Sequence, residues 1–306
     1  MTQHVFDLGD LLQRYNNRPR PGPGRLVHLA GIQGLDGYNP SNPIPDGGHP
    51  WTYVRVEPRD QDFSSWAVPF RQRALDDWAV DAYLPMLRLE DPFVSMIHGT
   101  LVVGGVRIIA KLGLDVQWET AFFRGDSPGN LVEFTRGPRN MKDIRLVELD
   151  EGRVGVVTRP RGGEAGRGKI GYTELESLDH LSSGAMAQAM LLPLQPVATQ
   201  WWGANAVYRL GDPYLGVLGH AARFVGEERE YYAIAFVFDR QTRKIVDGPE
   251  IIADRSCFPD YAARRPDLRN VVFPAWIDRQ HGLLFGGLSD TTVGLAPIAD
   301  PFAGWG

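Results

Sequence analysis

Short runs of alternating apolar and polar residues, each bounded by Gly, Pro, Asn or Asp, recur along the whole chain. A period of two sends successive side chains to opposite faces of a pleated sheet, so these runs predict strands. They fall at 25–30, 51–57, 93–97, 101–109, 116–123, 144–149, 153–158, 169–175, 206–210, 214–222, 231–239, 245–253, 270–277, 282–287 and 291–297. Ile144 to Leu149, the turn Asp150-Glu151-Gly152, and Arg153 to Val157 read as a hairpin, as do Phe93 to Ile97, His98-Gly99 and Leu101 to Val103. Helical spacing is convincing only near 178–192, with a weaker case at 6–15.

The strands group into units. Each unit carries a polar motif, at Tyr38, Glu90, Lys142, Gly203 and Asn270, spaced by about 50 to 65 residues, the length of a propeller blade. Five units predict an all-β fold, a five-bladed β-propeller of antiparallel sheets, over 1–306 as one domain with 1–24 as an N-terminal extension packed on it. A β-sandwich or jelly roll explains the strand count but not the recurrence. The 35 Gly and 23 Pro are spread through the chain, in keeping with many tight turns and no linker.

Composition narrows the function. A net charge of −5 carries no basic excess, which argues against nucleic acid. One cysteine, Cys257, excludes an intrachain disulfide framework and a cysteine-rich zinc site, and no metal is expected. No charged start precedes an apolar stretch in residues 1–12, and no apolar window approaches about 18 residues, so the expectation is a cytoplasmic protein with no membrane partner.

The candidate chemistry lies in the polar motifs. Asn39 and Asn42 each precede a proline, which predicts extended backbone and fixed amide directions. Arg55, Glu57 and Arg59 share one strand face. Glu90-Asp91-Pro92 offers a rigid mounting for a general acid or base, with a raised pKa expected for Asp91. Lys142-Asp143-Ile144-Arg145 sets a carboxylate between cations, which depresses its pKa. Thr158-Arg159-Pro160, Trp201-Trp202-Gly203-Ala204-Asn205 and Gly219-His220 supply the aromatic faces, amides and guanidinium groups that sugar sites use. The basic clusters at Arg264-Arg265 and Arg167 to Lys169 read as solvated loops. Gly163-x4-Gly168-Lys169 is no phosphate loop, because Ile170 stands where Ser or Thr must hold magnesium and no helix follows.

With these motifs the chain resembles domain-of-unknown-function family 1861, which implies a five-bladed propeller allied to the furanosidase and mannoside-phosphorylase superfamily. The likeness rests on Tyr38-Asn39-Pro40, Arg55-Val56-Glu57, Leu89 to Phe93, Met141 to Leu146, Thr158-Arg159-Pro160, Gly166 to Gly171, Trp202 to Asn205, Leu218-Gly219-His220 and Arg265 to Leu268. A more distant similarity, to the mannoside phosphorylases of glycoside hydrolase family 130, covers Arg55 to Glu57, Glu90 to Pro92, Lys142-Asp143, Arg159-Pro160, Asn270 to Phe273 and Gly287 to Asp290. It implies Asp91 as proton donor and Lys142 as a phosphate ligand. Thr158 departs from it, standing where that family's phosphate-binding His precedes Arg-Pro.

The leading expectation is a glycoside hydrolase acting on a small oligosaccharide or glycoside in an axial pocket. Asp91, Asp143 and Glu57 are its catalytic candidates, and Asn39, Arg55, Lys142, Arg145, Arg159, Asn205, His220 and Asp290 its substrate ligands. The alternatives are a phosphorylase using inorganic phosphate as co-substrate, with no other cofactor, and a non-catalytic carbohydrate-binding propeller.

Overall fold

The alternating runs pair with one another in sequence order. A computed structural model describes residues 4–112 and 115–305, so the first three residues of the expected extension lie outside it. Four-stranded antiparallel meanders follow one another, with inner strands Asp36–Tyr38, Glu90–Ile97, Lys142–Glu148, Trp201–Arg209 and Asn270–Asp278. These are the five blades of an all-β propeller. Blades 4 and 5 also join through a short parallel pairing of Glu230 with Asn270 and Tyr231 with Val271.

The N-terminal segment straps the ring. His4–Phe6 pairs in parallel with Leu194–Pro196 after blade 3. The helix Leu8–Asn16, capped by Asp7 accepting from Gly9 N, buries Leu8, Leu11 and Tyr15 among residues of blades 3 and 4. Arg25–Leu26 then supplies the fourth strand of blade 5, pairing with Thr292–Pro297, and His28–Ala30 pairs with Asp77–Val80 on the rim of blade 1. The single run predicted at 25–30 is thus split at Val27 between two blades. Within blade 5 Trp276 stacks on Phe285 at 4.3 Å, and Trp78 of blade 1 lies 5.9 Å from Trp276 and 6.1 Å from Phe285, aromatic contacts that lock first blade to last.

Several elements differ from the sequence pattern. Residues 178–192 form a 3-10 turn at Leu178–His180, a five-residue helix Ser183–Ala187 and the edge strand Met190–Leu191, because extended Ser182 caps a new helix with its side chain and so divides the helical run. Trp66–Ala74 is a strand despite Pro69, and its pairing to Asp77–Val80 begins only beyond the proline, at Phe70. Val132–Arg136 closes blade 2.

Two middle hairpins outgrow their inner strands. In blade 2 the inner strand stops pairing at Glu90 opposite Val106, while the hairpin continues to Leu112 opposite Asp115. In blade 4 Trp201 ends opposite Ala222, while the hairpin runs on to Val225 opposite Glu228. These projections rise on the same face as the starts of the inner strands and wall the site.

Candidate active site

Every inner strand from blade 2 to blade 5 carries a register break, at its start between Glu90 and Phe93 and between Lys142 and Arg145, and in mid-strand between Ala204 and Ala206 and between Pro274 and Trp276. A bulge re-aims a side chain that regular pleating would send into a sheet face. The residues so placed are Asp91, Asp143, Asn205 and Ala275. In blades 2 to 4 the bulge thus presents a polar residue of the recurring motif, while in blade 5 it falls on the buried Ala275. Asp91 and Asp143 have φ of 46° and 54°, in the left-handed region, as do Asn39 at 46° and Asp290 at 54°. Each such pose costs about 1–3 kcal/mol and persists only where the surroundings enforce it. Asn39 precedes proline, so the extended backbone expected there is overturned, and Asp91, also before a proline, shares the left-handed pose. Their side chains hold each other, Asn39 Nδ2 donating to Asp91 Oδ1 at 2.7 Å.

Asp91 belongs to an acid-rich cluster. Arg55 reaches Asp91 Oδ1 at 3.1 Å and both Glu57 Oε1 and Glu90 Oε1 at 3.3 Å. Glu57, 2% exposed, is fully engaged: Tyr38, Ser65 and Arg264 also donate to it. Arg264, expected in a solvated loop, is buried because it is this counter-ion. Burial works to raise the Asp91 pKa, but Arg55, Lys142 and the Asn39 amide outweigh it and hold the carboxyl below its usual range. The expected raised pKa is therefore reversed at Asp91. It appears instead at Glu90, pushed up chiefly by burial, and at Asp290, raised by burial beside Asp91 and Glu57.

Asp143 sits in a cation-rich cluster. Arg159 Nη1 donates to its Oδ2 at 2.9 Å, and His220 Nε2 lies 3.7 Å away. Burial opposes ionisation, yet Arg159, Lys142, His220 and Arg145 together hold Asp143 well below the carboxylate range, as the sequence predicted. His220, 1% exposed, is pushed down to about 3, first by burial, and is neutral, with Nδ1 donating to Asn205 Oδ1 at 2.8 Å. Gly203 is required here: a Cβ would lie 2.7 Å from both Asp143 Oδ2 and His220 Cε1.

A cavity of about 360 Å³ opens above these clusters. Its base is Glu90, Lys142 and Arg159, the last two paired directly across adjacent strands of blade 3. One wall is apolar, with Val106, Ile108, Val116 and Trp118 of the blade 2 hairpin. The other is aromatic and cationic, with Trp201, Phe224, Arg229 and Tyr231 of blade 4 and Arg161 and Arg167 of the Gly-rich loop after Arg159. Arg167 lies over Trp201 and Phe224, and Arg161 over Trp118. Five cations and one carboxylate line this space.

Of the sequence candidates, Lys142 and Arg159 line the cavity. Arg55, Glu57, Asp91, Asn39 and Asp290 form the acid-rich cluster beside Glu90, and Asp143, His220 and Asn205 the one around Arg159. Arg145 and Asn205 line a separate depression of about 370 Å³, with Arg145 Nε donating to the Asn205 carbonyl at 2.7 Å and its guanidinium over Phe93. The sequence reading passed over Glu90, Arg161 and Arg167 as ligands, and Phe224 and Arg229 altogether. Trp201 and Trp202 divide by strand alternation, Trp201 facing the cavity and Trp202 wholly in the core.

Among solved structures, MPT-4, a mannose phosphorylase from Leishmania mexicana in complex with phosphate ion, is 32% identical, with 98% of this chain and 95% of that one covered at a TM-score of 0.90. MPT-1, a GDP-Man-dependent mannosyltransferase from the same organism, is 28% identical over 98% of this chain and 96% of that one, with a TM-score of 0.88. The β-1,2-mannobiose phosphorylase of Listeria innocua, at 15% identity over 86% of this chain and 90% of that one and a TM-score of 0.63, shares the fold. A comparison with curated proteins found no match. The family described as "Protein of unknown function (DUF1861)" matches residues 18–304, and the chain belongs to it.

Proposed function

We propose that this protein is a glycoside-active enzyme that transfers a sugar, a mannosyl unit, between a glycoside and inorganic phosphate. The observation that carries this is the charge of the cavity, with five cations and Glu90 as its one lining carboxylate. Hydrolysis by two carboxylates needs a second one free to activate water or to attack. Glu57 is saturated by four donors, and Asp143 is pinned by Arg159. Phosphate brings its own nucleophilic oxygen and needs cations to hold it. Lys142 and Arg159 at the base do so, and Arg161 and Arg167 offset the absence of a histidine at Thr158, which is fully buried.

In this reading a phosphate oxygen bonds to the anomeric carbon as the glycosidic C–O bond breaks, and the leaving oxygen takes a proton from the Glu90–Asp91 pair. Asp143 serves as a fixed anion that orients Arg159. The phosphate-bound Leishmania phosphorylase supports the reading. The rim favours a second one. Arg161, Arg167 and Arg229, spread over aromatic rings above the base, also suit a nucleotide-sugar donor of the kind named for MPT-1.

The test is to incubate manno-oligosaccharides with the enzyme, with and without phosphate. Sugar 1-phosphate formed only when phosphate is present is the expected result. Free sugar released equally without phosphate would make it a hydrolase, and transfer from GDP-mannose alone would establish the second reading.

A further inference from the structure

The acid-rich cluster does not balance its charge. Four carboxyls, on Glu57, Glu90, Asp91 and Asp290, stand around one shared guanidinium, Arg55. Arg264 neutralises Glu57, the next cation is Lys142 on blade 3, and Arg265 reaches Asp290 while also pairing with Asp62 and Asp267. With Arg265 divided among Asp290, Asp62 and Asp267, the cations fall short of the acids they serve, and at least one buried carboxyl keeps its proton at neutral pH, since unpaired buried charge is the costlier alternative.

Hydrogen bonding tells the carboxyls apart. Glu57 accepts from Tyr38, Ser65, Arg55 and Arg264, and Asp91 from Asn39 and Arg55. Glu90 lies 3.3 Å from Arg55 Nη2, but no hydrogen bond reaches its sealed Oε1. Its cross-strand partner is Val106, and Ile108 stands further up the same wall, so its surroundings on that side are apolar. Burial also pushes the Glu90 carboxyl up. Asp290 is raised too, but it lies at the Gly287-to-Thr291 turn, outside the cavity lining.

We propose that Glu90 is the protonated carboxyl of the resting site and the group from which the leaving oxygen takes its proton, directly or through Asp91. The second half rests on the glycoside-transfer reading; the first does not. The O–H of Glu90 breaks as the new O–H forms on the departing sugar, and the carboxylate left behind is met by Arg55 and Lys142. Asp91 then acts as an anion that fixes Arg55 and Asn39. The groups facing Glu90 are Arg55 and Glu57 from blade 1, Asp91 on its own strand and Lys142 from blade 3.

The experiment has two arms. Infrared spectra of the ligand-free protein at neutral pH should show the C=O stretch of a buried carboxylic acid that disappears in Glu90→Gln and survives in Asp290→Asn and Asp91→Asn. A band unchanged in Glu90→Gln overturns the placement of the proton. In the second arm, phosphorolysis by Glu90→Gln should fall by about 10²–10⁴-fold on an alkyl mannoside, which needs its leaving oxygen protonated. It should stay near wild type on a dinitrophenyl mannoside, which does not. An equal loss on both substrates overturns the donor role. Wild-type protein with no turnover on any mannoside overturns the phosphorolysis reading, while the infrared arm still decides where the proton sits.

Discussion

Asp91 and Asp143 occupy equivalent places. Each follows the first residue of an inner strand, each is delivered by the same kind of bulge, and each is held at positive φ. Their neighbours differ in sign. Asp91 shares one arginine with two other carboxyls, whereas Asp143 is ringed by Arg159, Lys142 and Arg145. A repeated backbone device thus presents two aspartates identically, and the side chains around them divide the labour. One group is poised for proton chemistry because its protons are contested. The other is an anchor because its charge never is.

The strongest way to break this comparison is to neutralise each aspartate. Asp143→Asn leaves buried cations without their counter-ion and should cost about 3–5 kcal/mol in chemical denaturation. Asp91→Asn leaves Arg55 still paired with Glu57 and Glu90, so it should change stability by about 1 kcal/mol or less while lowering turnover by about 10²–10⁴-fold. Equal destabilisation by the two would show that the clusters are not opposites. Lys142→Ala should raise the KM for phosphate by about 10- to 100-fold, the loss of one charge-assisted contact, with a smaller effect on thermal stability.

Gly203→Ala is a purely steric probe of the Asp143 side. The added methyl meets Asp143 and His220, and should cost about 1–3 kcal/mol in denaturation. The mildest test is pH. Because the folded His220 titrates at about 3, against 6.5 for an ordinary His, the unfolded chain takes up a proton between these values that the native protein refuses. Stability should be level above 6.5 and fall as pH drops below it, by about 1.4 kcal/mol per unit from this residue. His220→Gln should flatten that slope in denaturation midpoints measured from pH 7 to 5.

Much of the architecture was legible because a propeller repeats. Strand alternation and the blade-length spacing of the Tyr38, Glu90, Lys142, Gly203 and Asn270 motifs point to five blades. The depressed Asp143 was legible as well, since Lys142 and Arg145 are sequence neighbours, although Arg159, its foremost counter-ion, comes from the next strand. The Asp91 environment was not: Arg55 and Asn39 arrive from another blade, and Pro92 gave no hint of them. The cavity walls were hidden for a related reason. Residues 223–230 are too charged to show strand alternation, and Arg161 and Arg167 sit among glycines as a solvated turn would. The blade 4 hairpin extension and the loop after Arg159 bring them to the cavity that Lys142 lines.

The strap that closes the ring also sets a schedule for making it. Arg25–Leu26 pairs with Thr292–Pro297, so one edge of blade 5 is completed by residues made long before the rest of that blade. Roughly 270 residues must be added between the two, at about 5–20 per second, which leaves the early segment waiting for some tens of seconds. Through that interval the rim of the growing propeller offers unpaired backbone that any other strand could take. The same delay gives the N-terminal helix reason to dock early on blades 3 and 4, holding the closing strand close by until the last blade arrives.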